Sequence, residues 1–173
     1  MILSAKRKRL EARDIAARLH VAAVRQSRCP MLYRSMGASD TVEGRFELLT
    51  LHVVLLLDRL KAQPDLRQAL FDTYVSYLDG ALREMGVGDL AVPKRMKALA
   101  AAFYGRARAF EEAFVALPDE TQLRDVLART ILCGQAGADV EPLTAYTAGA
   151  RDRLAGIGLD RLFLGDVIWS AAQ

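Results

Sequence analysis

Residues 42–60 read VEGRFELLTLHVVLLLDRL, and residues 48–57 within them form the longest stretch of the chain without a charge. The pattern is helical, because Phe46, Leu49, Val53 and Leu60 fall on one face while further leucines cover much of the rest. A helix that is apolar around most of its circumference must be covered on several sides, so we expect it at the centre of the domain. The ten uncharged residues are too few to span a bilayer, which takes about 20. We therefore expect a soluble protein.

The rest of the 173-residue chain also favours helices. It contains 28 Ala and 26 Leu against 12 Val and 5 Ile, which favours helix over strand. We predict an all-α fold, a single helical-bundle domain of about six helices. The predicted helices cover about 4–27, 41–61, 66–85 and 93–117, then a segment from Asp119 to Gly134 and one from Pro142 to Gly156. The tail that contains Leu162 and Trp169 has no assigned structure.

Local signals refine the ends and faces of these helices. Asp40 and Glu43 have the spacing of a capping box at the start of the second helix, and Asp65 is expected to cap the third. Met85 continues the apolar stripe of the third helix and Cys133 that of the fifth, so both are predicted to be buried. The first helix has a weak apolar line through Leu10, Ala17, Val21 and Val24.

The net charge of +3 is unevenly distributed along the chain. Residues 1–45 carry ten Lys and Arg against four Asp and Glu, whereas the remaining residues carry fourteen against seventeen. We predict a basic N-terminal arm over residues 1–24 and a helical domain over 25–173. The cations at the start of the arm are expected to bind an anionic surface, either lipid headgroups or RNA. The alternative is that they only form the solvent-exposed side of a helix. These cations are Lys6, Arg7, Lys8 and Arg9.

Motifs for cofactor or metal chemistry are weak. Cys29 and Cys133 lie far apart without a CxxC pair, so neither a disulfide framework nor a zinc site is indicated. Cys29-Pro30 could ligate haem, but Pro30 already explains a helix end. The stretch Gly86-Val-Gly-Asp-Leu-Ala91 matches G-x-G-x-x-A, but a predicted helix precedes it where a dinucleotide site needs a strand. We expect no metal, no cofactor and no enzymatic activity.

His52 is the candidate for chemistry that needs separate treatment. Arg45, His52 and Arg59 are spaced seven apart and share a helical face. No carboxylate lies three or four residues from His52, so neither a local metal site nor a general-base pair is formed. We expect His52 to pack between helices with one ring nitrogen hydrogen-bonded.

Six short segments, taken together and in order, resemble the ubiquinol–cytochrome c chaperone family. The resemblance extends over about residues 25–130, and no single segment is diagnostic. The segments are RCPMLY at 28–33, DTVEGRFE at 40–47, LHV at 51–53, MGVGD at 85–89, PKRMK at 93–97 and FYGR at 103–106.

The resemblance implies a function that composition alone does not. Members of this family assist assembly of the respiratory cytochrome bc1 complex, and mitochondrial members bind newly made cytochrome b near the ribosomal tunnel exit with a small partner protein. The short chain looks like a bacterial member, which implies a cytoplasmic protein peripheral to the inner membrane and no DNA partner. The ribosome, an anionic membrane surface and a small partner subunit stay open as further partners. The alternative is a non-enzymatic adaptor that binds anionic lipid through its arm; an enzyme acting on lipid or quinone is a remote third class.

A client-binding surface is predicted on the fourth helix. Lys94, Lys97 and Arg108 fall on one side of it, and Tyr104 lies between this side and the buried stripe. An exposed aromatic ring beside cations suits the end of a transmembrane helix of the client. The alternative is a solvated basic face with Tyr104 at the rim of the core. Arg45, His52 and Arg59 form the second candidate surface.

Overall fold

The structure, a computed structural model, describes residues 2–135 and 137–169. Within these residues the chain is all-α, without a strand, as predicted. Six longer helices correspond to the six predicted ones, and two five-residue helices were not predicted. The helices are α1 (Ile2–Ser27), α2 (Pro30–Arg34), α3 (Val42–Arg59), α4 (Pro64–Glu84), α5 (Val92–Ala116), α6 (Thr121–Thr130), α7 (Glu141–Gly156) and α8 (Leu159–Phe163).

Helix α3 occupies the centre of the bundle, and α1, α4, α5 and α7 pack around it. Every residue from Glu47 to Leu57 is buried, which confirms the prediction from its apolar circumference. The helix is capped by Thr41, whose Oγ1 accepts a hydrogen bond from the Gly44 amide at 3.1 Å. The predicted cap, Asp40, instead forms an ion pair with Arg45. Gly44 must be glycine, because a Cβ there would lie 1.9 Å from the Ser39 carbonyl oxygen.

Helix α1 buries a different face from the predicted one. Ile15, Leu19 and Ala23 lie in the core, whereas Leu10 is 53% exposed and Val21 is 65% exposed. Both lines repeat at helical spacing, and contact with α4 and α3 determines which of them is covered. The helix runs without a break past residue 24, and the arm boundary predicted there stays a prediction.

A proline and a glycine, rather than a side-chain cap, determine where α4 begins and ends. Pro64 lies in its first turn and Gln63 precedes it without a capping bond, so Asp65 is inside the helix and does not cap it. At the other end Gly86 adopts a φ of +80°, and the Val87 amide donates to the Leu82 carbonyl at 3.1 Å. The predicted glycine stop is therefore confirmed. Met85 is at the C-cap and is 54% exposed, so its predicted burial is wrong.

The C-terminal part closes the bundle beside α3 and α1. Helix α6 ends at Thr130, and the chain turns at Cys133 with a φ of 53°. Cys133 is exposed and its predicted burial is wrong, because Ile131 and Leu132 take the two buried positions. Helix α7 follows. The previously unassigned tail contains α8, which buries Leu162, and then continues to Trp169, which is also in the core.

Candidate binding surfaces

The outer side of α5 carries the first predicted client-binding residues. Lys94 and Lys97 are exposed and take part in none of the ion pairs among the described residues. Tyr104 is 60% exposed, which agrees with the partial exposure expected for it. Arg108 is exposed too, but its Nε lies 2.9 Å from Glu112 Oε1, so part of its charge is balanced within the helix.

Tyr104 is held by an aromatic cluster. Its ring centroid lies 5.5 Å from that of Phe71 in α4 and 5.9 Å from that of Phe103, which is buried. The ring therefore has support on its inner side and solvent on its outer side. The sequence alone does not single out Phe71, because it lies beside the buried stripe of Leu70 and Tyr74 rather than within it.

An ion pair between the half-buried Arg106 and the buried Glu47 fixes the rotation of α5 against α3. The Arg106 guanidinium Nε lies 2.8 Å and 2.7 Å from the two carboxylate oxygens of Glu47, which is 7% exposed. The hydrogen bond to Glu47 raises the pKa of Arg106, and the guanidinium also lies over the Phe46 ring at 5.9 Å. Since residues 104 and 106 point to different sides of a helix, anchoring Arg106 inward keeps Tyr104 outward.

The structure separates the residues of the second candidate surface. Arg45 is exposed and bonded to Asp40 at 2.8 Å. His52 has no exposed area, and Arg59 donates to the carbonyls of Leu154 and Ile157 at 2.7 and 2.8 Å. These three residues therefore do not form one exposed face. Arg59 instead caps the last turn of α7, where the orphan carbonyls carry partial negative charge.

His52 is part of a buried polar network. Its Nδ1 lies 2.7 Å from the Leu48 carbonyl oxygen and so donates to it, which leaves Nε2 to accept from the Tyr146 hydroxyl at 2.7 Å. The Gln26 amide then donates to the Tyr146 oxygen at 3.0 Å, and the Trp169 ring meets His52 edge-on at 4.9 Å. Both ring nitrogens are engaged, not one as expected.

Burial lowers the pKa of His52 to about 4, against the opposing effect of the Leu48 bond. Its imidazole is thus neutral at physiological pH, and the network links α1, α3, α7 and the tail. Tyr146 and Gln26 lie far from His52 in sequence, so no local spacing could have identified them. The arrangement fits a packing role, because neither nitrogen is free for a ligand or a proton transfer.

The cations of the N-terminal arm project from α1. Arg7, Lys8 and Arg9 are exposed; the Lys6 side chain lies outside the described residues. No cation of α1 takes part in an ion pair within the described residues, although Arg108 and Arg124 are paired elsewhere on the surface. The charge that the sequence concentrates in this region is therefore not neutralised by the fold.

Two kinds of feature are missing from the described part of the chain. No helix there is both long enough and apolar enough to cross a membrane. Within the same residues, no three His, Cys, Asp or Glu side chains are grouped so that they could hold a metal ion.

Comparison with known proteins connects this geometry with a family. The family model described as ubiquinol-cytochrome C chaperone matches residues 34–169. The chain belongs to this family. Its fold is similar to that in the crystal structure of the Cbp3 homolog from Brucella abortus, with a TM-score of 0.83 and 36% sequence identity over 99% of this chain and 97% of that one. No curated protein shows significant sequence similarity to the chain.

The two matches differ in whether they include α1. The ubiquinol–cytochrome C chaperone model begins at residue 34, after α1 and within α2. The Brucella abortus structure matches nearly the whole chain, α1 included. The α3–α5 region that carries Tyr104 lies within both matches.

Proposed function

We propose that this protein is an assembly chaperone of the cytochrome bc1 complex that binds newly synthesised cytochrome b. Membership of the ubiquinol–cytochrome c chaperone family and the similarity to a Cbp3 homolog support the assembly role. The observation that carries the client-binding part is the exposed Tyr104 ring on the same helix as Lys94 and Lys97, which form no ion pair within the described residues. Arg106 holds this helix in place.

This surface matches the chemistry at the end of a transmembrane helix. The Tyr104 ring offers apolar area together with a hydroxyl group, and the lysines attract backbone carbonyls and loop carboxylates. About 400 Å² of apolar burial contributes on the order of 10 kcal/mol, and association costs of about 4–15 kcal/mol offset most of it. The contact is therefore weak and reversible, as handover of a client requires.

The role is proposed to be non-enzymatic. Catalysis by a histidine needs a free ring nitrogen near a substrate site, and both nitrogens of His52 are engaged inside the core. The second histidine, His20, is 5% exposed between the rings of Tyr74 and Tyr77. Neither residue faces a surface where a substrate would bind.

We place the protein at the cytoplasmic side of the inner membrane in a bacterial cell, where a newly inserted cytochrome b is accessible. The ribosome and a small partner subunit are further candidate contacts. The exposed cations of α1, which form no ion pair within the part of the chain that the structure describes, favour a second candidate function, an adaptor that binds anionic lipid without holding a client.

A clean deletion distinguishes these two functions. We expect cells without the protein to lose cytochrome b and bc1 activity while other membrane proteins persist, and a plasmid copy should restore both. Normal cytochrome b levels in the deletion strain would refute the chaperone function. Capture of cytochrome b by the tagged protein then tests direct binding, because an adaptor without a client would not retain it.

A further inference from the structure

We propose that the outer face of α1 and the adjoining tail form one surface that docks on an anionic lipid bilayer. This lipid-docking face comprises the exposed line of α1, the cations on both flanks of that line, and the tail residues 164–168. It lies apart from Tyr104 and α5, and its role does not depend on the chaperone function, because lipid vesicles contain no client.

The apolar part of the face comes from two segments. On α1, Leu10 is 53% exposed and Val21 is 65% exposed, and Ala17 lies between them on the same line. On the tail, Leu164 is 73% exposed and Ile168 is 39% exposed. A solvent-facing line of this kind, left over after the opposite side of α1 is buried, is typical of helices that insert shallowly at a lipid interface.

The tail is held at both ends, by α1 on one side and by α7 on the other. The Arg18 Nε donates to the Phe163 carbonyl at 2.9 Å, and an Arg153 guanidinium nitrogen donates to the Trp169 carbonyl at 2.8 Å. Between the two segments lies a groove of about 620 Å³ lined by Val21, Leu164 and Trp169 among others. The groove gives apolar groups of the bilayer a place to enter between helix and tail.

The charge of the face complements an anionic surface. By helical spacing Arg7, Arg13 and Arg25 lie within about 60° of the apolar line, on both sides of it, and all three are exposed. None of them forms an ion pair within residues 2–135 and 137–169, and Asp14 is the acidic residue on this side. Each cation close to an anionic leaflet contributes about 1 kcal/mol to binding.

Lipid fits this combination better than RNA or a folded peptide. Proteins that bind single-stranded RNA stack bases on exposed rings, whereas the exposed apolar side chains here are aliphatic and Trp169 is 6% exposed. A peptide bound in the groove would contact only the cations that border the groove. The cations extend instead from Arg7 to Arg25, about 27 Å along the helix.

The charge test uses the purified full chain and flotation with vesicles of phosphatidylcholine, with or without phosphatidylglycerol. Binding is expected only to the anionic vesicles. Arg13→Gln with Arg25→Gln should weaken it about 30-fold, as expected for the loss of two cations. The control variant Arg34→Gln with Arg129→Gln removes the same charge from exposed positions on α2 and α6 and should bind as the wild type does. Equal loss in both variants, or no binding by the wild type, would overturn the proposal.

The apolar test uses Val21→Ser with Leu164→Ser. Both positions are exposed, so the variant should fold, and the change should remove the fraction of binding that survives high salt. The control Leu90→Ser with Val115→Ser alters side chains that are 99% and 80% exposed elsewhere, and it should have no effect. Identical salt curves for all three proteins would overturn the apolar part of the face.

Trp169 provides a direct measurement of orientation, since it is the single tryptophan of the chain and lines the groove. Anionic vesicles with brominated acyl chains should quench its fluorescence more than unbrominated ones do. Binding without this quenching would show that another face meets the lipid. Tight binding of a single-stranded RNA homopolymer without any binding to vesicles would overturn the proposal and identify nucleic acid as the ligand of this face.

Discussion

The Nε2 atom of His52 accepts a hydrogen bond of 2.7 Å from the Tyr146 hydroxyl, and this bond joins α3 to α7 inside the core. The Tyr146 oxygen also accepts a bond from Gln26 in α1. One hydroxyl group therefore satisfies polar atoms from two other helices, and burial raises the pKa of Tyr146. The Tyr146 hydroxyl therefore links α1, α3 and α7.

Tyr146→Phe should lower the free energy of unfolding by about 1–3 kcal/mol, because it leaves the buried Nε2 of His52 without a partner and removes the acceptor of the half-buried Gln26 amide. Urea denaturation measures the change. The control Tyr104→Phe removes a hydroxyl from a ring that is 60% exposed and should change stability by less than about 0.5 kcal/mol. Equal effects of the two substitutions would contradict the network.

Stability should fall as the pH is lowered from about 6.5 towards 4. Burial lowers the pKa of both His52 and His20 from 6.5 to about 4. Between these values the unfolded chain binds protons that the folded chain does not, so the free energy of unfolding falls as the pH falls. The decrease is at most about 1.4 kcal/mol per pH unit for each histidine.

Urea midpoints measured across this pH window test the expectation. His20→Gln removes one of the two groups and should reduce the slope of stability against pH by about half. His20 is a suitable choice because its Nε2 is buried and has no hydrogen-bond partner among the described residues, so no bond from that nitrogen is lost there. An unchanged slope would assign the pH dependence to other groups.

Arg106 and Arg108 lie two residues apart on α5 but should differ in importance for stability. Arg106→Met leaves the Glu47 carboxylate buried without its partner and should cost about 2 kcal/mol, a value reduced for the partial exposure of the arginine. Arg108→Met breaks an exposed pair with Glu112 and should cost less than about 0.5 kcal/mol. Thermal unfolding of both variants compares them, and similar losses would mean that the Glu47 pair is not the anchor of α5.

Lys94→Glu with Lys97→Glu should reduce capture of cytochrome b, because it reverses the charge beside Tyr104. The melting temperature should change by less than about 4 °C, since both lysines are exposed and unpaired within the described residues. The charge-matched control is Arg34→Glu with Arg129→Glu, two exposed positions on other helices. If a folded double variant captures as much client as the control, the client site lies elsewhere and Arg45 becomes the next residue to test.

Tyr104→Ala should weaken the same capture through loss of apolar contact rather than charge. Its effect should therefore persist at high salt, where the effect of the lysine substitutions is screened. Pull-down at two salt concentrations separates the two contributions. A loss that disappears at high salt would mean that the ring only positions charges.

The six longer helices were predictable because each is defined by local signals. The apolar circumference of α3 and the glycine at residue 86 act over one or two turns, and both predictions are confirmed. The buried face of α1 was not predictable in the same way. Its two apolar lines, through Leu10 and Val21 and through Ile15 and Leu19, are both regular, and tertiary contact selects the second.

Long-range contacts account for the other differences. Tyr146 meets His52 across 94 residues of sequence, so spacing around His52 carried no information about it. Cys133 turns outward because the backbone reverses there with a positive φ, which a non-glycine residue rarely adopts and no local motif announces. The partial exposure of Tyr104 agrees with the prediction, because it follows from helical phase relative to Phe103.

The cations of α1 form no ion pair within the described residues, and dissolved salt therefore acts on them in two opposite directions. In the free protein they repel one another along a helix whose first turn contains no acid, so screening by salt strengthens the helix. The same screening weakens their attraction to an anionic surface. A bound anionic surface thus supplies the negative charge that the first turn of α1 lacks, and it stabilises the helix most at low ionic strength.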